Sequence, residues 1–171
     1  MKGVILAAGY ATRFLPASKT IPKEMFPLID RPAIDFIVKE MVDSGIHDIL
    51  LVSSRRKKVM EDYFDREVEL SSAFSESQEY EKLKVIKPIK ANIFTLRQQY
   101  MMGTGNALML VEPFVNNEPF VVAYPDDIVL GEKPLSKQLI ETWEKTGDTV
   151  LSVQELSEDQ LSRYGVINKE G

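Results

Sequence analysis

Five consecutive small or branched apolar residues, Val4-Ile-Leu-Ala-Ala8, run directly into Gly9 and a turn of small residues, Gly9-Tyr-Ala-Thr12. A short apolar run without alternation is the pattern of a strand covered on both faces, as in the middle of a parallel sheet. The residues after the turn narrow the fold further. Prolines at 16, 22 and 27 argue against a long helix straight after the turn, because each removes a backbone donor and restricts the residue before it. The strand therefore opens into a loop that carries Arg13, Lys19 and Lys23. Backbone N–H groups at the end of a buried strand, beside fixed cations, suit a polyphosphate.

The same grammar recurs along the chain. Asp48-Ile-Leu-Leu-Val52, Ile93-Phe-Thr-Leu96, residues 119–124 and residues 149–153 predict further strands, and Val85-Ile86 a short extended piece. Ile34, Ile37, Val38 and Met41 fall at helical spacing after Pro32 and predict a helix closed by Gly45. Residues 57–63, 103–110 and 134–145 predict three more helices, with Trp143 in the core. Residues 65–83 are acidic with irregular apolar spacing, and predict an insertion of loop and helix on the rim. Strands alternating with helices predict one α/β domain over residues 1–171, a Rossmann-like three-layer sandwich with a mostly parallel central sheet. Ligands of such sheets bind beyond the carboxyl ends of the strands. Gly9 and the pair Asp126-Asp127 both follow strands, so the topology allows them to share one crevice.

Composition excludes several functions. The formal charge of −5 and a pI near 5.1 are wrong for a surface that tracks nucleic-acid phosphates. With one histidine, His47, and no cysteine, any metal must sit on oxygen ligands, which favours magnesium-like ions. No apolar run approaches the roughly 18 residues of a membrane helix. A strand starting at residue 2 leaves no room for a signal peptide, so a cytoplasmic protein without membrane contact is expected.

The opening loop admits three readings. A strand-to-helix turn needing small residues is the plainest. A dinucleotide fingerprint requires Gly-x-Gly-x-x-Gly opening a helix, and only Gly9 is present; Gly-Lys-Ser/Thr of the Walker loop is absent too. The third is a nucleoside triphosphate loop. Arg13 offers a planar fork to phosphate oxygens, and Lys23 is a point charge on the proline-stiffened Ile21-Pro-Lys-Glu-Met-Phe-Pro27. Such cations suit in-line attack at an α-phosphorus. Arg97-Gln-Gln-Tyr-Met-Met-Gly-Thr-Gly-Asn106 adds a glutamine able to pair with a pyrimidine edge, and Gly103, where backbone can approach a flat base. Asp126 and Asp127 offer the one or two carboxylates that magnesium takes alongside phosphate oxygens and water.

The stretch from Val4 to Pro27 resembles the signature of the sugar-1-phosphate nucleotidyltransferases, and Ile21-Pro-Lys-Glu-Met25 is similar in particular to the bacterial UTP–glucose-1-phosphate uridylyltransferases. The resemblance implies a nucleotidyltransferase-type fold that transfers a uridylyl group from UTP to glucose 1-phosphate, with Mg2+, yielding UDP-glucose and pyrophosphate. A homo-oligomeric full-length form is compatible with it. It also implies roles. Ala8 and Gly9 would lie against the nucleoside, with Thr12 in the nucleotide-binding turn. Arg13 would meet the β- and γ-phosphates, Lys23 the α-phosphate and Glu24 the uridine. Gln98, rather than Gln99, and Gly103 would read the base. Asp126 would hold the metal, Asp127 would lie nearer the sugar, and Gly165 in Tyr164-Gly-Val-Ile167 would approach a sugar hydroxyl.

Two positions depart from the family pattern: Ala11 stands where a glycine is usual, and Asn106 where a histidine is. The Glu-Lys-Pro motif that the family carries downstream of the Tyr164-Gly-Val-Ile167 strand, and a later aspartate, have no counterpart here, so a C-terminally incomplete form with poor turnover is expected. The other readings are a relative using dTTP or another sugar 1-phosphate, and a nucleotide-binding module without catalysis.

Overall fold

The computed structural model describes residues 1–162 and 165–167. The chain forms two compact units, Met1–Gln138 and Leu139–Gly171. In chain order the first unit contains β1 (Lys2–Leu6), β2 (Pro27–Leu28), β3 (Arg31–Pro32), α1 (Ala33–Asp43), β4 (Asp48–Ser53) and α2 (Lys58–Phe64). It continues with α3 (Val68–Glu76), α4 (Tyr80–Val85), β5 (Asn92–Arg97), α5 (Gly103–Leu110), α6 (Glu112–Val115) and β6 (Phe120–Ala123). Helix α7 (Leu135–Thr146) begins there, and α8 (Glu158–Leu161) belongs to the second unit.

Four strands form a parallel sheet in the order β5-β4-β1-β6. The expectation of a parallel central sheet holds, and its physical basis is the unbroken apolar run of β1. Val4 and Ile5 are both fully buried although they point to opposite faces. On one face Val4, Leu6, Leu50 and Val52 pack with Ala107, Val111 and Val115 of the α5–α6 region. On the other, Gly3 brings the strand close to α1. A methyl group at Gly3 would sit 2.6 Å from Sδ of Met41 and 3.1 Å from Cγ2 of Ile46, so only a hydrogen fits. Helices thus cover both faces of the sheet, the three-layer arrangement expected of the sequence.

Helix α1 follows its apolar spacing: Ile34, Ile37, Val38 and Met41 are buried, and Pro32 caps the start with extended geometry. Residues 65–83 lie mostly in α3 and α4, neither of which buries a residue. They combine helix with the connecting residues 65–67 and 77–79.

Four local expectations need correction. Val85 ends α4 and Ile86 is its C-cap, so this pair is not extended. Two β-branched residues alone do not outweigh a helix already propagating through Tyr80–Val85. Residues 149–153 have strand-like composition but no regular structure. A strand needs a ladder partner, and none pairs with them among the described residues. Strand β6 was expected to be buried; it lies at an end of the sheet, and only Val121 is fully covered. Trp143 is half-buried, not core. His47 lies on the turn before β4, as a loop residue should, and its Nδ1 is 3.2 Å from the Lys90 carbonyl. Among the described residues no helix is long and apolar enough to cross a membrane.

Candidate active site

Strand order decides where the site sits. From β1 the chain moves outward through β4 and β5, then returns to place β6 on the other side of β1. At such a reversal the loops leaving the two neighbouring strands diverge and open a crevice at their carboxyl ends. The loops here are those after β1 and β6, paired in register from Lys2 with Phe120 to Ile5 with Ala123. One carries Gly9 and the other Asp126 and Asp127. A cleft of about 310 Å³ lies between them, lined by Gly9, Lys23, Glu24, Thr104, Asp126 and Asp127 among others.

Lys23 crosses this cleft. Its Nζ donates to Oδ2 of Asp126 at 2.5 Å, with the lysine side chain 21% and the aspartate 52% exposed. An ion pair this open contributes little to stability, about 0–1 kcal/mol. Both charges remain accessible to a ligand. Asp127 beside it is shifted above the usual carboxylate range, first by burial and then by the neighbouring Asp126 charge, with Lys23 opposing. Among the described residues no group of three or more His, Asp or Glu side chains converges. One or two carboxylates beside an open cleft fit a magnesium ion that draws its remaining ligands from a bound anion and water. Asp126, with Asp127 adjacent, would hold it.

Glu24 turns the other way. It is 1% exposed, and its Oε1 accepts from Nζ of Lys57 at 2.8 Å. The same ammonium donates to the carbonyl of Ala7 at 2.5 Å. Lys57 is itself only 5% exposed, and burial pushes its pKa down although Glu24 favours the charged form. Oε2 of Glu24 has no hydrogen-bond partner among the described residues. A buried carboxylate oxygen is costly to leave unpaired. The free oxygen belongs to a residue that lines the cleft, which suits a ligand donor.

Lys57 was not expected from the sequence. It stands in Arg55-Arg56-Lys57-Lys58, which reads as a solvated basic run. The signal available was its position just past β4, on the carboxyl edge where ligands of parallel sheets collect.

The other expected residues divide by location. Ala8 is buried in the apolar cluster with Val4, Leu6 and Ala107, so only its backbone could face a nucleoside. Thr12 and Arg13 lie exposed on a short 3-10 turn and do not line the cleft. Gln98 follows β5 and is 5% exposed, whereas Gln99 is exposed. The Gln98 Nε2 donates to the Gly103 carbonyl at 3.2 Å and to Oδ1 of Asn106 at 3.1 Å. Gln98 and Asn106 together thus hold the first turn of α5. Gly103 takes φ +85°, a conformation that side chains resist. The N-cap of α5 is Met102, so Thr104 does not cap this helix and instead lines the cleft. Gly165 belongs to the second unit and is exposed, while its neighbour Tyr164 lies outside the described residues.

Ala11 explains its own oddity. It sits at φ 53°, ψ 42°, the left-handed region where glycine is the usual occupant. The turn is kept by its surroundings: the Ala11 carbonyl accepts from the Phe14 N–H at 3.0 Å and from the Ser18 hydroxyl at 2.8 Å. Ala11→Gly should therefore stabilise the chain by about 1 kcal/mol. A thermal melt should show Tm rising by roughly 2–4 °C. A lower Tm would mean that the turn is not strained.

Lys23, a cleft at a strand-order reversal and strand-end carboxylates thus come together on a parallel α/β sheet. The chain belongs to the nucleotidyl transferase family, whose model matches residues 2–171. Among curated relatives, it is 44% identical over 172 residues to the UTP–glucose-1-phosphate uridylyltransferase YngB of Bacillus subtilis (strain 168), covering 99% of this chain and 58% of that one. A crystal structure of an apo UDP-glucose pyrophosphorylase superposes with a TM-score of 0.85 at 34% identity, covering 99% of this chain and 64% of the other. A UDP-glucose complex of such an enzyme gives 0.82 at 34% identity, covering 99% and 62%. The chain spans about three fifths of the length of the curated relatives it matches.

Proposed function

We propose that this chain supplies the nucleotide half of a uridylyltransferase active site, taking UTP and glucose 1-phosphate to UDP-glucose and pyrophosphate. The observation that carries the reading is the bridge from Lys23 to Asp126 across the crevice between β1 and β6. An accessible cation and a strand-end carboxylate stand on opposite walls of a cleft beside exposed Gly9. In the reaction an oxygen of the sugar phosphate forms a bond to the α-phosphorus of UTP while the bond to the β-phosphate oxygen breaks. The attacking oxygen is already anionic, so no proton has to be removed by the protein.

The side chains then act by electrostatics and orientation. Lys23 would leave Asp126 for the α-phosphate oxygens, where charge builds during attack. Arg13, on the exposed turn after β1, would meet the leaving pyrophosphate. Magnesium held at Asp126, with Asp127 beside it, would neutralise phosphate charge as a Lewis acid. Gln98 would present its amide oxygen to the uracil edge while its Nε2 keeps the Gly103 turn in place. Glu24, with its spare Oε2, would accept from a hydroxyl of the nucleoside.

Calorimetric titration of UTP, dTTP and ATP, with and without magnesium, tests the binding part. UTP should bind most tightly and need the metal. A pyrophosphate-release assay with a panel of sugar 1-phosphates tests the rest, and should favour glucose. Failure of the chain to bind any of the nucleotides would overturn the reading, and a preference for dTTP would replace the uridylyl assignment with a thymidylyl one.

A further inference from the structure

The Lys57 ammonium joins three segments that meet only in the folded chain. Its backbone belongs to the turn after β4, where its N–H donates to the Ser54 carbonyl at 3.0 Å and its carbonyl accepts from the Met60 N–H at 3.1 Å. Met60, fully buried, anchors the first turn of α2. The side chain leaves this fixed base and ends on the Ala7 carbonyl, at the close of β1, and on the Glu24 carboxylate. Ala7 lies two residues before Gly9, and Glu24 directly follows Lys23. The 3-10 turn Lys23–Met25 is short and makes few backbone bonds: Met25 N–H to the Pro22 carbonyl at 2.9 Å and Phe26 N–H to the Lys23 carbonyl at 3.1 Å. Something else must fix which way it faces.

Adjacent side chains of that turn part company. Lys23 reaches into the cleft toward Asp126, and Glu24 points inward to Lys57. Clamping Glu24 from behind therefore sets the direction of Lys23 in front. We propose that Lys57 is a positioning residue. It locks the Lys23–Glu24 turn against the end of β1, holding Lys23 in reach of the phosphate site without touching the ligand itself. The functional weight of this clamp rests on the nucleotide-site reading above. A pair this buried could equally have served stability alone, so the test must separate local order from global stability.

Hydrogen–deuterium exchange of the full chain, read peptide by peptide, makes that separation. Lys57→Met should speed exchange in residues 20–28 by about tenfold or more over and above the general rise that a stranded buried carboxylate brings to peptides of β1, β4 and α1. Uniform acceleration across all peptides, or no change in residues 20–28, would overturn the proposal. Because Lys57→Met strands a buried carboxylate, Lys57→Met/Glu24→Gln serves as the second variant. It removes both charges, and should keep the fold while leaving residues 20–28 about as loose as the single variant does. Wild-type protection in the double variant would show that the clamp is not needed.

UTP titration adds the functional arm. Wild-type chain that binds no UTP would remove the nucleotide reading, and the exchange data would still decide whether Lys57 orders the turn. Where turnover is measurable, Lys57→Met should lower kcat, because Lys23 acts on charge that develops in the transition state, and any rise in KM for UTP through the freed Glu24 should come together with that fall. A raised KM at unchanged kcat would place Lys57 in ground-state binding and overturn the positioning role.

Discussion

Lys23→Met should lower pyrophosphate release by a factor of about 10²–10³, the loss typical when one donor to developing charge is removed from an active site. The fold should survive. The partner of Lys23 in its ion pair is the half-exposed Asp126, and such a bridge is worth about 0–1 kcal/mol, so Tm should move little. The expected signature is a fall in kcat and kcat/KM together, because the lysine gains its main contact as attack proceeds. Methionine keeps the length of the side chain and removes only its charge. Turnover followed by a coupled pyrophosphate assay, beside a thermal melt, would give both numbers. Wild-type turnover in a correctly folded variant would remove Lys23 from the mechanism.

Glu24→Ala should act in the opposite way, on stability first. Removing the carboxylate leaves the Lys57 ammonium buried with only the Ala7 carbonyl for company. Breaking one side of a buried pair costs about 3–5 kcal/mol, because the remaining charge is neither hydrated nor neutralised. The deficit should depend on pH in a definite direction. Burial already holds the folded-state pKa of Lys57 below its ordinary value, and the loss of Glu24 removes the main influence raising it. Between that lowered folded value and the higher unfolded one, the unfolded chain binds more protons, so stability rises with pH. The variant should thus recover part of its loss as pH climbs through the folded pKa of Lys57 toward the unfolded value. Urea unfolding at a series of pH values would measure it. A variant that loses stability over that window relative to wild type would contradict the buried-charge account.

Much of this site was legible in the sequence because its residues fall where strands stop. Gly9, Asp126 and Asp127 each come after an apolar run, and the carboxyl edge of a parallel sheet is where ligands gather. Lys23 was legible because prolines on either side deny it a helix. Lys57 was not, because burial of a charged side chain is a tertiary fact. In a row of four basic residues nothing local tells the buried one from its solvated neighbours, and the carboxylate that permits its burial lies in a different segment. Glu24 was picked out through its neighbours in a motif, and the sequence could not reveal that it faces inward. The β-branched residues at 149–153 misled for a related reason: strand propensity describes a preference, and only a paired edge turns it into structure.

Ala11 shows the same limit from the other side. Its departure from glycine was visible in the sequence, and its left-handed φ shows that the turn keeps a glycine-like shape despite the methyl group. The loop after β1 is therefore changed in strain more than in course.

The order of the strands also has a consequence for how the protein is made. The residues of β1, β4 and the helix between them, which supply the centre of the sheet and one of its covered faces, have all been synthesised by residue 53. The second wall of the cleft comes with β6, and Lys23 and Asp126 stand 103 positions apart. By residue 53 the residues of the cleft's first wall have been made and those of its second have not. Of the three carboxylates that will line it, only Glu24 is present, waiting at first for Lys57 and much later for the strand that closes the pocket.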